Sequence, residues 1–290
     1  PILQALEFRA VNFIITRFSL DETRAYYLNH DELTQMKNTG RWDIESHGRD
    51  DHVFYAISGN GDEGLFLPNK IWLQDQGRLE TDQEFRERVR VDLAVSKESI
   101  ERTFGTSVVG FAYPYSDYGQ GSQNFPDAVN ILPGIVHSLY PMSFYQVWSG
   151  NDYAFNHPRK DLGMVKRIEV EQAWTGTQLV DLLERSRERD LPYDNTFADD
   201  AGWIINWGQL HVAGNQLELG STASTTGATI FLEGSYLWQD YLFRAHIERS
   251  EGKSVALAAR FRDSNNYVAC NYTSGLMHID QILDGKSRTI

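Results

Sequence analysis

From its first residues to about Pro192 the chain alternates short apolar, β-branched runs with segments whose apolar residues recur every three or four positions. Val11-Asn12-Phe13-Ile14-Ile15-Thr16 predicts a strand. Asp31 to Lys37 offers one or two helical turns closed by Gly40, and Trp42 to Ser46 reads as the next strand. In Thr81-Asp82-Gln83-Glu84 the threonine hydroxyl and the glutamate can each satisfy a free amide of a helix start. Phe85, Val89, Leu93, Ser96 and Ile100 follow at helical spacing up to Gly105, which predicts a long surface helix. Val108 to Tyr113 is too uniformly apolar for a half-exposed sheet and suits one covered on both sides. Gly134 to Tyr140 and Val165 to Val170 are further strand candidates, and Thr177 to Arg189 one more helix. Strands alternating with helices mean a parallel sheet, open or closed as a barrel.

After Asp190-Leu191-Pro192 the pattern changes. Short runs such as Gln216 to Leu219, Tyr241 to Ile247 and Ser254 to Phe261 are separated by glycine-rich or polar turns, without a convincing helix. That is the pattern of a β-sandwich, and it puts a domain boundary at about residue 192, with residues 1–192 on one side and 193–290 on the other. Pro1 to Glu7 reads as the middle of a helix, so the natural chain is expected to begin earlier. Asp284 to Ile290 looks like a turn entering another strand, so the sandwich is expected to continue beyond it.

Composition narrows the function classes. Hydrophobic residues at 41%, with 12% aromatic, belong to an ordered protein with a substantial core. A formal net charge of -13 argues against a nucleic-acid partner, which would be repelled except at a local basic patch. The clusters Arg86 to Arg90 and Glu184 to Arg189 are mixed in sign and suit solvated helix faces. One cysteine, Cys270, excludes an intrachain disulfide and reads as a buried thiol in a strand. No apolar run is long enough to span a bilayer, and the first residues lack the pattern of a signal peptide.

The candidate chemistry lies in Trp42-Asp43-Ile44-Glu45-Ser46-His47-Gly48-Arg49-Asp50-Asp51-His52, where a strand runs into two histidines. Imidazole is the commonest ligand of a divalent transition metal, and two rings on a short loop can converge on one ion. Two loop histidines facing water is the other reading.

The order of Gly40, the strand ending in His47, His52, and some sixty residues later Phe111-Ala112-Tyr113-Pro114-Tyr115 resembles the polysaccharide deacetylases of the NodB-homology family. It is most similar to the branch acting on poly-β-1,6-N-acetylglucosamine, whose histidines share this spacing. The resemblance covers roughly residues 1 to 190 and implies a deformed (β/α) barrel with a metal site at the carboxyl ends of its strands. It implies that His47 and His52 bind a divalent metal, zinc in most members, for hydrolysis of acetyl groups on a polysaccharide at an extracellular or cell-envelope location. It further implies that Tyr113 gives its backbone N–H to the oxyanion, that Pro114 fixes the turn, and that Tyr115 lines the sugar groove.

Several departures accompany the match. The Thr-Phe-Asp-Asp-Gly segment that supplies a base and a third ligand in the family is expected to lie ahead of residue 1. Ser116 replaces a glycine, Phe111 stands where many relatives have arginine, and no late Leu-x-His motif precedes the boundary. Thr196-Phe197-Ala198-Asp199-Asp200 and Leu276-Met277-His278 look like substitutes, but strand and turn roles explain both.

Asp194 to Trp203, Trp207-Gly208 and Gly214 to Leu217, continued by Tyr236 to Tyr241 and Ala259 to Tyr267, are similar to concanavalin-like (laminin-G-like) sandwiches. Trp203, Trp207, Trp238 and Tyr267 either form a sugar platform or fill the space between sheets, and Asp199, Asp200 or Asp263 are candidate calcium ligands. Two rival functions stand beside the deacetylase. One is a carbohydrate-binding pair of domains without catalysis; the other is a lyase or glycosidase using Asp50 and Asp51, although adjacent carboxylates diverge from most loops.

Overall fold

A computed structural model of the chain describes residues 2–22, 24–147, 156, 163–185, 187–235, 238–263 and 265–290. Of the residues singled out above, Pro1, Ser186, Tyr236, Leu237 and Ser264, with the side chains of Ile2, Gln4, Arg185, Arg262 and Asp263, lie outside the description. The chain divides into two compact units. The first holds the residues up to Val147 and the strand at Met164–Ile168; the second holds Val170 to Ile290.

Five strands form the sheet of the first unit: β1 (Ala10–Ile14), β2 (Trp42–Ser46), β3 (Gly110–Ala112), β4 (Met142–Val147) and β5 (Met164–Ile168). They lie side by side in chain order and every neighbouring pair is parallel. Three helices occupy the crossovers: α1 (His30–Asn38), α2 (Asp82–Phe104) and α3 (Ala128–Leu139). Parallel crossovers of one hand that always step the same way place their helices on one face and let the sheet curl. All five strands run the same way, so their carboxyl ends lie along one rim of the sheet.

Local chemistry explains the helix ends. Asn29 caps α1 and Thr81 caps α2, and in each the glutamate three positions on, Glu32 or Glu84, accepts the backbone N–H of the cap. Gly105, at φ +61°, closes α2 in a conformation most side chains avoid. Phe85, Val89, Leu93, Ser96 and Ile100 are all buried, as their spacing predicts, and form one wall of the core with Leu33, Ile44, Phe111 and Tyr140.

The strand expected at residues 134–140 is instead the second half of α3. Ala128, Leu132 and Val136 repeat every four residues and are fully buried, and that stripe outweighs the break suggested by Pro133-Gly134. The strand that follows starts at Met142.

The second unit opens with helix α4 (Gly176–Arg185). Antiparallel pairs follow: β6 (Trp203–Trp207) with β9 (Thr229–Leu232), and β7 (Gln209–Ala213) with β8 (Gln216–Gly220). A four-stranded meander then runs through β10 (Ser254–Asp263), β11 (Asn266–Thr273), β12 (Leu276–Leu283) and β13 (Lys286–Thr289). Its last hairpin turns on Asp284-Gly285, both at positive φ, which matches the twist of the flanking strands. The run Tyr241 to Ile247 is not a strand; among the described residues no strand pairs with it, and alternation alone supplies no ladder bonds. Cys270 is half-buried on β11 rather than fully enclosed.

Candidate functional site

The site is built on the rim where β2 and β3 end. β2 is tied to β1 up to Ser46, and the ladder continues into the loop: His47 N–H donates to the Ile14 carbonyl at 2.8 Å and Thr16 N–H to that of Gly48 at 3.1 Å. Gly48 then turns at φ +81°, and the Asp51 carboxyl occupies the place a side chain would need, 1.7 Å from an ideal Cβ. Only glycine fits there. The turn brings His52 back beside His47, with ring centroids 4.8 Å apart.

Both rings are electrically prepared for a cation. The His47 Nδ1 lies 2.6 Å from the Ala112 carbonyl, an acceptor, so Nδ1 carries the proton and Nε2 keeps its lone pair. Burial first, and the neighbouring His52 second, hold the His47 pKa down to about 3, with the Arg167 guanidinium on β5 adding to the effect. His52 is lowered by burial as well, and its Nε2 is buried without a hydrogen-bond partner. Neutral imidazoles with free lone pairs are what a divalent transition metal binds. Two donors therefore fit; among the described residues no group of three His, Cys, Asp or Glu side chains is gathered for a metal.

The turn after β3 forms the neighbouring wall. The Tyr113 N–H donates to the Phe144 carbonyl at 2.8 Å, prolonging the β3–β4 ladder, so the expectation that this amide serves an oxyanion is not met. Its side chain is fully buried. Pro114 is buried and sets the turn that follows. Tyr115 stands at φ +55°, half exposed, with its ring 4.7 Å from that of His52. Phe54, also half exposed, meets Tyr115 edge-on at 6.5 Å and extends the aromatic surface. Phe54 carried no sequence signal beyond lying two positions after His52.

The departures acquire physical reasons. Ser116 is at φ +59°, the region where glycine is favoured, and its Oγ accepts the Gln146 N–H at 2.7 Å, which helps offset the strain. Phe111 is fully buried against Tyr113 and Tyr140, a core role unlike that of an arginine.

Asp50 and Asp51 do not face one another across a groove. Asp50 accepts from Arg17 at 2.9 Å, and Asp51 is fully buried, so a two-carboxylate glycosidase is not supported. Asp199 accepts the Ala201 N–H within a turn, and His278 pairs with Asp280 on β12; both belong to the second unit. Of the aromatic candidates there, Trp203 packs near Phe197 and Trp238 near Tyr241, Tyr267 contacts Phe261, and Trp207 is the more exposed, at 44%. No helix among the described residues is long and apolar enough to cross a membrane.

Residues 1–127 match the family model described as polysaccharide deacetylase. No curated protein matches the chain. Among solved structures, the deacetylase domain of BpsB from Bordetella bronchiseptica is similar, at 20% identity and a TM-score of 0.45, over 59% of this chain and 66% of that one. A de-N-acetylase from Aggregatibacter actinomycetemcomitans has 18% identity and a TM-score of 0.47, over 62% of this chain and 67% of that one. IcaB from Ammonifex degensii has 17% identity and a TM-score of 0.38, over 59% of this chain and 60% of the other.

Proposed function

We propose that this chain, whose residues 1–127 match the polysaccharide deacetylase family model, is a metal-dependent hydrolase that removes N-linked acetyl groups from an extracellular or cell-envelope polysaccharide. One observation carries the reading: two neutral imidazoles converge at the end of β2 beside an exposed tyrosine turn at the end of β3. Amide hydrolysis at neutral pH needs a hydroxide equivalent and a stabiliser for the oxyanion. A divalent cation, zinc for preference, supplies both when bound, by lowering the pKa of water and polarising the acetyl carbonyl.

His47 and His52 would hold that cation. Ala112 fixes the His47 tautomer through its carbonyl, so that Nε2 faces the site with a lone pair. The Tyr113 amide is spent in the sheet, and we assign the oxyanion donor to the Tyr115 N–H, which has no hydrogen-bond partner among the described residues. The Tyr115 and Phe54 rings form an apolar surface beside His52 on which a sugar face can rest. The branch acting on β-1,6-linked N-acetylglucosamine is the one whose histidine spacing this chain shares.

For residues 193–290 we retain the concanavalin-like reading, supported by antiparallel hairpins and by the exposed Trp207. A glycan array on which that region binds nothing would reduce it to a spacer. For the activity itself, acetate release from a β-1,6-linked N-acetylglucosamine oligomer, with and without added zinc, is the test. Release is expected to require the metal and to vanish in His47→Ala; undiminished release by that variant discards the assignment.

A further inference from the structure

Two consecutive backbone amides of the loop between the two histidines, those of Arg49 and Asp50, are held by one side chain from elsewhere in the sequence. Asp92 lies midway along α2, 6% exposed, between the core residues Val89 and Leu93. Its Oδ2 accepts the Arg49 N–H at 3.1 Å and its Oδ1 the Asp50 N–H at 3.0 Å. Both oxygens are thus used on two consecutive amides, and those amides belong to the only stretch of chain that separates His47 from His52.

Burying a carboxyl in a helix face otherwise lined by Phe85, Val89, Leu93 and Ile100 is costly unless its oxygens find donors. The two amides are those donors, and a carboxylate spanning them is stronger than two neutral contacts. The other ties act at the loop's ends, on its side chains, or on the carbonyls of Gly48 and Asp50, which accept from the N–H groups of Thr16 and Val53. Gly48 N–H reaches Ser46 Oγ at 3.2 Å, Arg17 binds the Asp50 side chain at 2.9 Å, and Asp21 pairs with the Arg49 side chain. Among the described residues, Asp92 is the side chain that accepts from the amides of Arg49 and Asp50, and it does so from the core side. A metal site tolerates ligand displacements of about 0.2 Å, so this is where rigidity matters.

We infer that Asp92 is a positioning residue for the cation site: by clamping Arg49 and Asp50 it holds His47 and His52 at the separation one divalent metal requires. The inference rests on the function proposed above and extends it to a residue in a different element, some forty positions away in sequence. Cobalt(II) binding to the full chain, followed by its visible absorption, tests it alongside melting temperature. Asp92→Asn keeps the shape and one acceptor; Asp92→Ala keeps neither. Loss of such an outer support typically weakens metal binding about 10- to 100-fold, and that range is expected for Asp92→Ala, with a smaller loss and an altered band in Asp92→Asn. Val89→Ala, a core variant of the same helix, is expected to lower the melting temperature while leaving cobalt affinity and spectrum unchanged. Should Asp92→Ala not fold, Asp92→Asn decides. Wild-type cobalt affinity and spectrum in folded Asp92 variants, with binding lost in His47→Ala, overturn the clamp alone. Cobalt binding that survives His47→Ala overturns the site reading and the clamp with it.

Discussion

The imidazole rings of His47 and His52 lie 4.8 Å apart, centroid to centroid, with their planes inclined at 52°. Two protonated rings at that distance would repel, and burial removes the water that would screen them. The pair is therefore stable as two neutral bases, which is the form in which imidazole binds a metal. Proton and metal compete for the same lone pairs.

The pH dependence of folding follows from this. His47 titrates near 6.5 in the unfolded chain and is held down to about 3 in the fold. A lowered folded value means that folding selects the neutral ring, so its contribution is complete above about 6.5 and is lost as the pH falls from there to about 3. The melting temperature is expected to drop across that window, and to drop less in His47→Gln, which has no ring to protonate. Parallel curves for the two proteins would contradict the buried neutral ring.

Asp51 carries the opposite sign. Both of its oxygens are buried without a hydrogen-bond partner, and burial first, with the charge of Asp92 second, raises its pKa well above 3.8. A raised folded value means that the neutral acid is selected, so no penalty exists below about 3.8 and stability is lost as the pH rises beyond it. Asp51→Asn is expected to match the wild type below pH 4 and to exceed it by about 1–3 kcal/mol at pH 7. Urea unfolding at the two pH values measures the difference.

Pro133 interrupts α3 from within. It has no N–H to give the carbonyl one turn earlier, and its ring crowds that carbonyl. Pro133→Ala restores the bond and is expected to stabilise the fold by about 1–3 kcal/mol. A calorimetric melt that is unchanged or lower would show that the surrounding packing depends on the proline ring.

Tyr115 and Phe54 are assigned to substrate binding rather than chemistry, so their loss should appear in KM. Tyr115→Ala is expected to raise KM for a glycan oligomer about tenfold, a loss of roughly 1.4 kcal/mol. Phe54→Ala should do less, since its ring contacts Tyr115 and not His52. The backbone amide at 115 survives both substitutions, so kcat should change little; a fall in kcat at constant KM would place these rings at the reacting centre.

Local signals decided much of the first unit from sequence alone. The capping box at Thr81 and Glu84, the stripe from Phe85 to Ile100, and the strands ending at Ser46 and Ala112 depend on neighbours within a few positions, and those neighbours are written in order along the chain. The histidine spacing and the Tyr-Pro turn likewise placed the candidate chemistry on two loops. What pattern could not settle was each case where distant groups compete for one atom. Whether Gly134 to Tyr140 is strand or helix depended on a buried stripe begun at Ala128. Whether the Tyr113 amide is free depended on the Phe144 carbonyl one strand away. Whether Tyr241 to Ile247 is a strand depended on a partner that alternation cannot supply. Asp92 shows the limit most directly, because nothing near it in sequence marks it as the acceptor for Arg49 and Asp50. Hydrogen-bond partners across the core are chosen by the packing of α2 on β2, and that packing exists only once the chain has folded.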